Sequence, residues 1–545
     1  MSLFILWVFM KIKAIYWILL IQALTYIRVL DAGFVFDDVF IVEHNALTSS
    51  WSNLWAAITG DLWSGDVTSQ ESSGFTRPVY VLTLFIDRLL FDNNPILLHL
   101  HSLAWGLGVT WVYWLFLSAW NVPRPSIAVA ILALHPFASE YIYWLAARND
   151  TLMLFFLFAS QWAWLKKRPW WALVFALGAM GSKEVGLFVP LFWIILCWPK
   201  SRAQSGALIL ALVCALAFGV HILGSGGSPV LNKWVNEGEL LYSIPILVVW
   251  WFARVLWPWP LSAAYPLRDL TFSQADACLA VCSLGLLLMG LRAINRSTWS
   301  HRVRFMIWAP AIAALLIAPT FLPVSLTGVF GLRYFMAPLM VLIIAVSFIN
   351  IRVLRGLSVL LPVYCALIFI RGSAFVSDRA YWEHETHWLP SSYSYVSLGH
   401  IYFKTGELSQ AQHAYAKGLA MADPYLYGCS NFLLATLKLQ GSKSVLTNYE
   451  WTKEVGCADG VYYGLVTLAL FAEGELEQAK LLAQRAPSDP SKRLNVVKSA
   501  LALKGGDSSV CVSEALNWSS TELLYKQINV LISDFEESDC TMVIQ

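Results

Sequence analysis

The chain has 545 residues, 58% apolar and 14% aromatic, and only 13% are charged, about half the share usual in soluble domains. That composition excludes a soluble globular enzyme and describes a polytopic membrane protein. The net charge is +2 and the basic residues fall in short clusters between apolar runs, which argues against a nucleic-acid-binding face.

Lys11 and Lys13 precede an apolar run at 14–30, and no small-residue cleavage site follows, which predicts an uncleaved signal anchor with a cytoplasmic amino end. Just beyond it, on the predicted non-cytoplasmic side, Gly33-Phe34-Val35-Phe36-Asp37-Asp38-Val39 sets two carboxylates side by side. Adjacent acids are costly to desolvate and repel one another, so they belong where they meet water, a metal or a reacting hydroxyl. A merely solvated acidic loop is the plainer alternative. The same outer loop runs over 31–94. Within it Trp51, Leu54, Trp55 and Ile58 fall at helical spacing, and 79–91 is apolar apart from Asp87 and Arg88. Both stretches predict helices lying in the membrane interface.

Further apolar runs lie near 95–119, 126–144, 150–165, 169–182, 185–198, 206–224, 276–291, 305–322, 334–350 and 356–371, which with the first makes eleven expected spans. This count puts Arg124, Lys166 to Arg168, Lys200 with Arg202, Arg292 to Arg304, and Arg352 with Arg355 inside, as the positive-inside rule requires. The stretch 240–261 contains Arg254, several prolines and clustered tryptophans, and is read as interfacial or re-entrant. An odd number of spans leaves the carboxyl-terminal part outside.

From about Ser391 the sequence turns into charged, Ala- and Leu-rich helix. Tyr395, Leu398, Gly399, Tyr402, Gly406, Ala411 and Tyr415 follow the helix-turn-helix pattern of a tetratricopeptide repeat, closed by Pro424. Gly474 and Ala479 sit two repeat lengths after Gly406 and Ala411, with a weaker unit around Gly441 between them. Three such units, with terminal helices near 491–504 and 520–536, can stack into a continuous core. Cys197, Cys214, Cys278, Cys282 and Cys365 lie in or near apolar runs, whereas Cys429, Cys457, Cys511 and Cys540 lie in this polar part. In an oxidising compartment four such cysteines suit disulfides, Cys429 with Cys457 and Cys511 with Cys540 being the simplest of three pairings.

Polar groups recur at the predicted outer ends of spans: Thr76-Arg77-Pro78, His135-Pro136 with Glu140, Arg148-Asn149-Asp150, Lys183-Glu184 and Arg333-Tyr334. Any one cation there reads as a snorkelling anchor. Gathered on the face that carries Asp37 and Asp38, they suit a reaction between a hydroxyl nucleophile and a lipid phosphate. The base takes the proton and the cations stabilise the departing phosphate.

The ordered set of Phe34-Val35-Phe36-Asp37-Asp38, Asn45, Leu54, Asp61-Leu62-Trp63, Thr76-Arg77-Pro78 and Leu82-Thr83 resembles the first outer loop of the C superfamily of membrane glycosyltransferases (GT-C). More narrowly it resembles the transmembrane and tetratricopeptide-repeat protein O-mannosyltransferases. The similarity continues through Leu134-His135-Pro136, Glu140, Ala147 to Asp150, Ser182 to Glu184 with Gly186, and Arg333-Tyr334 into the repeats, although the repeat array is shorter than is usual there. The resemblance implies an inverting transferase that takes a monosaccharide from a polyprenyl- or dolichyl-phosphate carrier, with its acceptor held outside the membrane. It implies Asp37 or Asp38 as the base, and Arg148, Lys183, Arg333 and Arg77 near the donor phosphate. His135, Glu140, Asp150, Glu184 and Tyr334 would support them. Some relatives with adjacent acids use a divalent ion, so magnesium or manganese at Asp37 and Asp38 is among the implied options.

The expectation is therefore an all-α protein: a membrane helical bundle over 1–375 of the GT-C type and a tetratricopeptide-like α-solenoid over 390–545. The expected function is transfer of a sugar, mannose in the family, to a protein hydroxyl, with the repeats engaging the acceptor protein. Two rivals stand beside it: the same fold acting on lipid A or another envelope glycan, and a non-enzymatic membrane-anchored scaffold or transporter. Short loops and the lack of a retention signal point to a bacterial inner membrane with periplasmic repeats. The endoplasmic reticulum with lumenal repeats is the alternative.

Overall fold

In the computed structural model, which describes residues 14–62, 75–196, 198–224, 249–262, 265–266, 273–296, 329–330, 336–421, 424–458, 460–475, 478–479 and 481–482, the described chain is helical apart from one short strand pair. That pair, β1 (Tyr265–Pro266) and β2 (Val329–Phe330), is antiparallel with Tyr265 opposite Phe330. The chain divides into two compact units, Met1–Tyr381 and Trp382–Gln545. Arg333, Tyr334, Cys511, Cys540, the expected span at 305–322 and the expected helices at 491–504 and 520–536 lie outside the described residues, as does 240–248 of the interfacial stretch.

The first unit contains α1 (Ala14–Thr25), α2 (Leu54–Thr59), α3 (Pro78–Phe91), α4 (Pro95–Ala119), α5 (Pro125–Leu134), α6 (Ser139–Tyr143), α7 (Arg148–Leu165), α8 (Pro169–Ser182), α9 (Val189–Leu196), α10 (Arg202–Gly224), α11 (Gln274–Asn295), α12 (Met336–Ser347), α13 (Ile351–Leu357) and α14 (Leu360–Gly372). Four of these described helices begin on proline, whose fixed φ and missing N–H suit the first turn. At α4 the preceding Asn94 also caps, its side-chain oxygen accepting from the Ile96 and Leu97 amides at 3.1 and 3.3 Å.

Among the described residues four helices are long and apolar enough to cross a bilayer: Pro95–Ala119, Arg202–His221, Gln274–Asn295 and Ile351–Val376. A fifth span is made if α5 and the following Pro136–Tyr143 count as one; they bend by 57°. Pro136 causes the break, because it cannot donate to the preceding turn and it drives His135 into an extended conformation. The run at 126–144 is thus a broken helix. The 14-residue α8 rises about 21 Å, less than a hydrocarbon core of about 30 Å.

Small residues allow the close helix approaches. Buried Ala163, Ala172, Ala176 and Ala179 line the α7–α8 hairpin, and a methyl group on Gly290 of α11 would lie 2.6 Å from the Ala345 carbonyl of α12. Trp164 and Trp193 stack with centroids 4.6 Å apart, and the Trp193 indole donates to Ser160 Oγ at 3.0 Å.

After α15 (Asp378–Trp388), the described part of the second unit is a series of helices joined by short connections: α16 (Ser392–Lys404), α17 (Leu408–Leu419), α18 (Gly428–Gln440), α19 (Ser442–Glu454) and α20 (Gly460–Ala472). Gly406, Gly441 and Gly474 take φ of 81°, 84° and 84° at the turns, a region that favours glycine. Gly399 lets α16 close on the ring of Tyr415, which a Cβ would approach within 2.7 Å. Phe403, Ala411, Tyr415, Phe432 and Leu433 belong to one core. Cys429 and Cys457 are joined in a disulfide.

Candidate functional site

The acidic pair sits where the chain leaves α1, passes a 3-10 turn (Ile27–Leu30) and enters a short π-helical segment (Val39–Glu43). The two carboxylates face different surroundings. Asp38 is fully buried, and its side chain accepts the amides of Ala146 at 2.6 Å and Leu145 at 3.4 Å. Those amides open the 3-10 turn Leu145–Ala147 that leads into α7, so they have no partner within their own helix. Asp38 therefore serves as a carboxylate at a helix amino end, tying the outer loop to the α6–α7 corner. Burial pushes its carboxyl well above the usual range. The Ala146 and Leu145 amides pull it down, and the charge of Asp37 adds to the rise. Asp37 is half-buried.

Tyr80, two residues into α3, connects these groups. Its phenol is fully buried and its hydroxyl donates to the carbonyl of Leu145, the residue whose amide Asp38 accepts, at 3.4 Å. Sequence reasoning passed over Tyr80, although its place just after Thr76-Arg77-Pro78 was a usable signal.

Arg148, expected at the donor phosphate, is fully buried at the head of α7. Its guanidinium pairs with Asp87 of α3 and donates to Ser102 Oγ at 2.8 Å and the Leu98 carbonyl at 2.9 Å, both on α4. Asp87 also takes the Nδ1 hydrogen of His101, whose Nε2 accepts from the Trp105 indole at 3.0 Å. The charge of Arg148 is thus spent inside the protein, locking α3, α4 and α7 together. In sequence Asp87 reads only as an interruption of an interfacial helix.

The remaining cations lie nearer the surface. Arg77 binds Glu184 through two bonds of 2.9 and 3.2 Å, and Lys183 pairs with Asp150. The two pairs become neighbours because α8 ends against the start of α3, where a methyl on Gly181 would meet Val79 at 2.7 Å. Burial alone would raise the Glu184 carboxyl, but the charge and hydrogen bonds of Arg77, helped by Lys183, hold it below the ordinary range.

His135 lies at the helix break. It accepts the Phe137 amide on Nδ1 at 3.2 Å and donates from Nε2 to the Val255 carbonyl at 2.9 Å, which defines a neutral ring protonated on Nε2. Val255 and Leu256 end the helix at 249–256, and the Tyr364 hydroxyl donates to both carbonyls at 3.0 Å. His135 therefore supports a corner of the bundle. Glu140 is buried in α6.

No group of three or more His, Cys, Asp or Glu side chains able to hold a metal ion occurs among the described residues. Of the two carboxylates at the site, Asp38 is already turned onto backbone amides. This donor set does not fit a protein-held divalent ion.

No protein-family profile matches the chain, and no solved structure matches it significantly. Curated relatives do. Protein O-mannosyl-transferase TMTC3 of Mus musculus is 25% identical over 250 residues, 44% of this chain and 27% of that protein. The Homo sapiens TMTC3 is 25% identical over 40% of this chain and 25% of its own length, and Tmtc1 of Drosophila melanogaster is 26% identical over 30% and 20%. The matched stretch spans about a quarter of the length of these relatives. In its sequence this membrane chain is similar to the transmembrane and tetratricopeptide-repeat protein O-mannosyltransferases.

Proposed function

We propose that the chain is an inverting glycosyltransferase that moves a monosaccharide, mannose by analogy with the relatives' names, from a polyprenyl- or dolichyl-phosphate carrier to a hydroxyl of a protein on the non-cytoplasmic side. One observation carries the reading: half-buried Asp37 stands beside Asp38, whose carboxylate is pinned to the amides of Leu145 and Ala146. Asp38 is thereby committed to the fold, and Asp37 is the acid of the pair that keeps access to solvent.

Asp37 then takes the proton of the acceptor hydroxyl while the hydroxyl oxygen attacks the anomeric carbon. The bond from that carbon to the carrier phosphate breaks, and the lipid phosphate leaves with the electron pair. Attack opposite the leaving group inverts the configuration. Lys183 and Arg77, the less deeply buried cations, stabilise the departing phosphate; their partners Asp150 and Glu184 hold them until it arrives. Arg333 and Tyr334 belong to the proposal by resemblance alone.

An eleven-span topology with the second unit outside is part of the same reading. The Cys429–Cys457 disulfide supports it, because such bonds persist in oxidising compartments. The helix-turn-helix series supports a tetratricopeptide-like array that holds the acceptor polypeptide.

The test is intact-mass analysis of exported proteins from cells carrying the wild-type chain, Asp37→Asn, or neither. A hexose-sized mass increment present only with the wild type supports the reading. Equal masses in all three, together with an altered envelope glycan, would transfer the activity to a glycan acceptor. An Asp37→Asn variant as active as the wild type would remove Asp37 as the base.

A further inference from the structure

We propose that Asp378 is a positioning residue for the acidic pair: its carboxylate accepts the Phe36 amide and fixes the backbone from which Asp37 projects. The inference rests on the reading of Asp37 as the base.

Phe36 is the residue immediately before the pair, and it takes φ 53°, a left-handed conformation that a bulky side chain rarely adopts. Such a conformation persists only where its surroundings over-determine it. Three contacts do so here. The Phe36 amide donates to Asp378 Oδ1 at 2.9 Å, across 342 residues of sequence. The ring stacks on Trp144 at 5.4 Å on one side and on Tyr381 at 6.2 Å, and the two interplanar angles are 19° and 14°. Trp144 immediately precedes the turn whose amides hold Asp38, so one aromatic stack joins both acids to the α6–α7 corner.

The segment that supplies Asp378 and Tyr381 grips the loop at a second place. Gly33 donates its amide to the Phe375 carbonyl at 2.9 Å, and its own carbonyl accepts from His99 Nε2 at 3.1 Å. A Cβ on Gly33 would lie 2.6 Å from the Val376 carbonyl oxygen, so only glycine fits. Residues 373–381 thus form a strap over the stretch from Gly33 to Phe36. Within it, Asp378 holds the amide of the residue immediately before the acids. A displacement of a few tenths of an ångström at Phe36 redirects Asp37, and general-base transfer depends steeply on that direction.

The experiment uses full-length protein in lipid nanodiscs, as wild type, Asp378→Ala and Asp378→Asn. Hydrogen exchange read by mass spectrometry on the peptide containing Phe36 reports the strap. Turnover of synthetic dolichyl-phosphate mannose with a serine- and threonine-containing peptide library reports function. Asp378→Ala is expected to speed exchange at Phe36 about tenfold, through loss of one charge-assisted hydrogen bond. It should lower kcat about tenfold with KM for the donor unchanged. Asp378→Asn still offers an acceptor oxygen and should recover most of both, which a general folding defect would not do.

Exchange in Asp378→Ala equal to wild type overturns the proposal, and so does faster exchange with unchanged kcat. If the wild-type protein turns over no donor, the reading of the chain as a transferase using that donor fails. The exchange measurement then decides on its own whether Asp378 fixes the loop.

Discussion

Arg148 and Asp87 form an ion pair closed off from solvent, with side-chain exposures of 0% and 1%, at the junction of α3, α4 and α7. A charge so placed is tolerable only while its partner remains, because either group alone would be a buried, uncompensated ion. Arg148→Met or Asp87→Leu alone should therefore lower unfolding stability by about 3–5 kcal/mol. The double variant should recover a large part of the loss. Thermal unfolding of the four proteins in one detergent measures the coupling, and additive losses would show that the pair does not act as a unit.

Asp38 holds two amides at the start of the turn before α7. Asp38→Ala leaves those donors unsatisfied, which should cost about 1–3 kcal/mol in stability and abolish transfer. Asp37→Asn should reduce transfer by about 100-fold or more, the scale of a lost general base, with a smaller loss of stability than Asp38→Ala. Equal destabilisation by both substitutions would contradict the division of roles.

The Arg77–Glu184 pair has a pH signature. The carboxyl of Glu184 is held below its ordinary value, so the unfolded chain binds its proton more readily than the folded one. Stability from the pair is then fully present above the usual glutamate range, about pH 4.3, and is lost as pH falls through the depressed folded value. Glu184→Gln should be less stable than wild type at pH 7 by about 1–2 kcal/mol. That gap should close on acidification; a gap that widens toward low pH would reverse the assigned direction.

The disulfide in the second unit closes a sequence separation of 28 residues. Removing it by Cys429→Ala with Cys457→Ala should destabilise the helical series by about 3.6 kcal/mol, mainly through freedom restored to the unfolded chain. Far-UV circular dichroism of the full-length protein with and without reductant should show the same loss in the wild type and none in the double variant.

The sequence determined the features set by local chemistry. Apolar runs fixed the membrane character, and glycines at repeat spacing marked the turns at Gly406, Gly441 and Gly474, whereas the break at Pro136 within the expected span 126–144 emerged only in the structure. The acidic pair following the first apolar run was legible for the same reason: adjacency needs no folding. Tertiary structure alone decided which acid faces inward. It also matched Arg148 with Asp87 across 61 residues and brought Asp378 to the Phe36 amide across 342. Periodicity tells which face of a helix is apolar, but the partner of a buried charge depends on which helix packs against that face. In sequence Arg148 therefore looks the same as Arg77 or Lys183, and only packing shows that its partner is the buried Asp87.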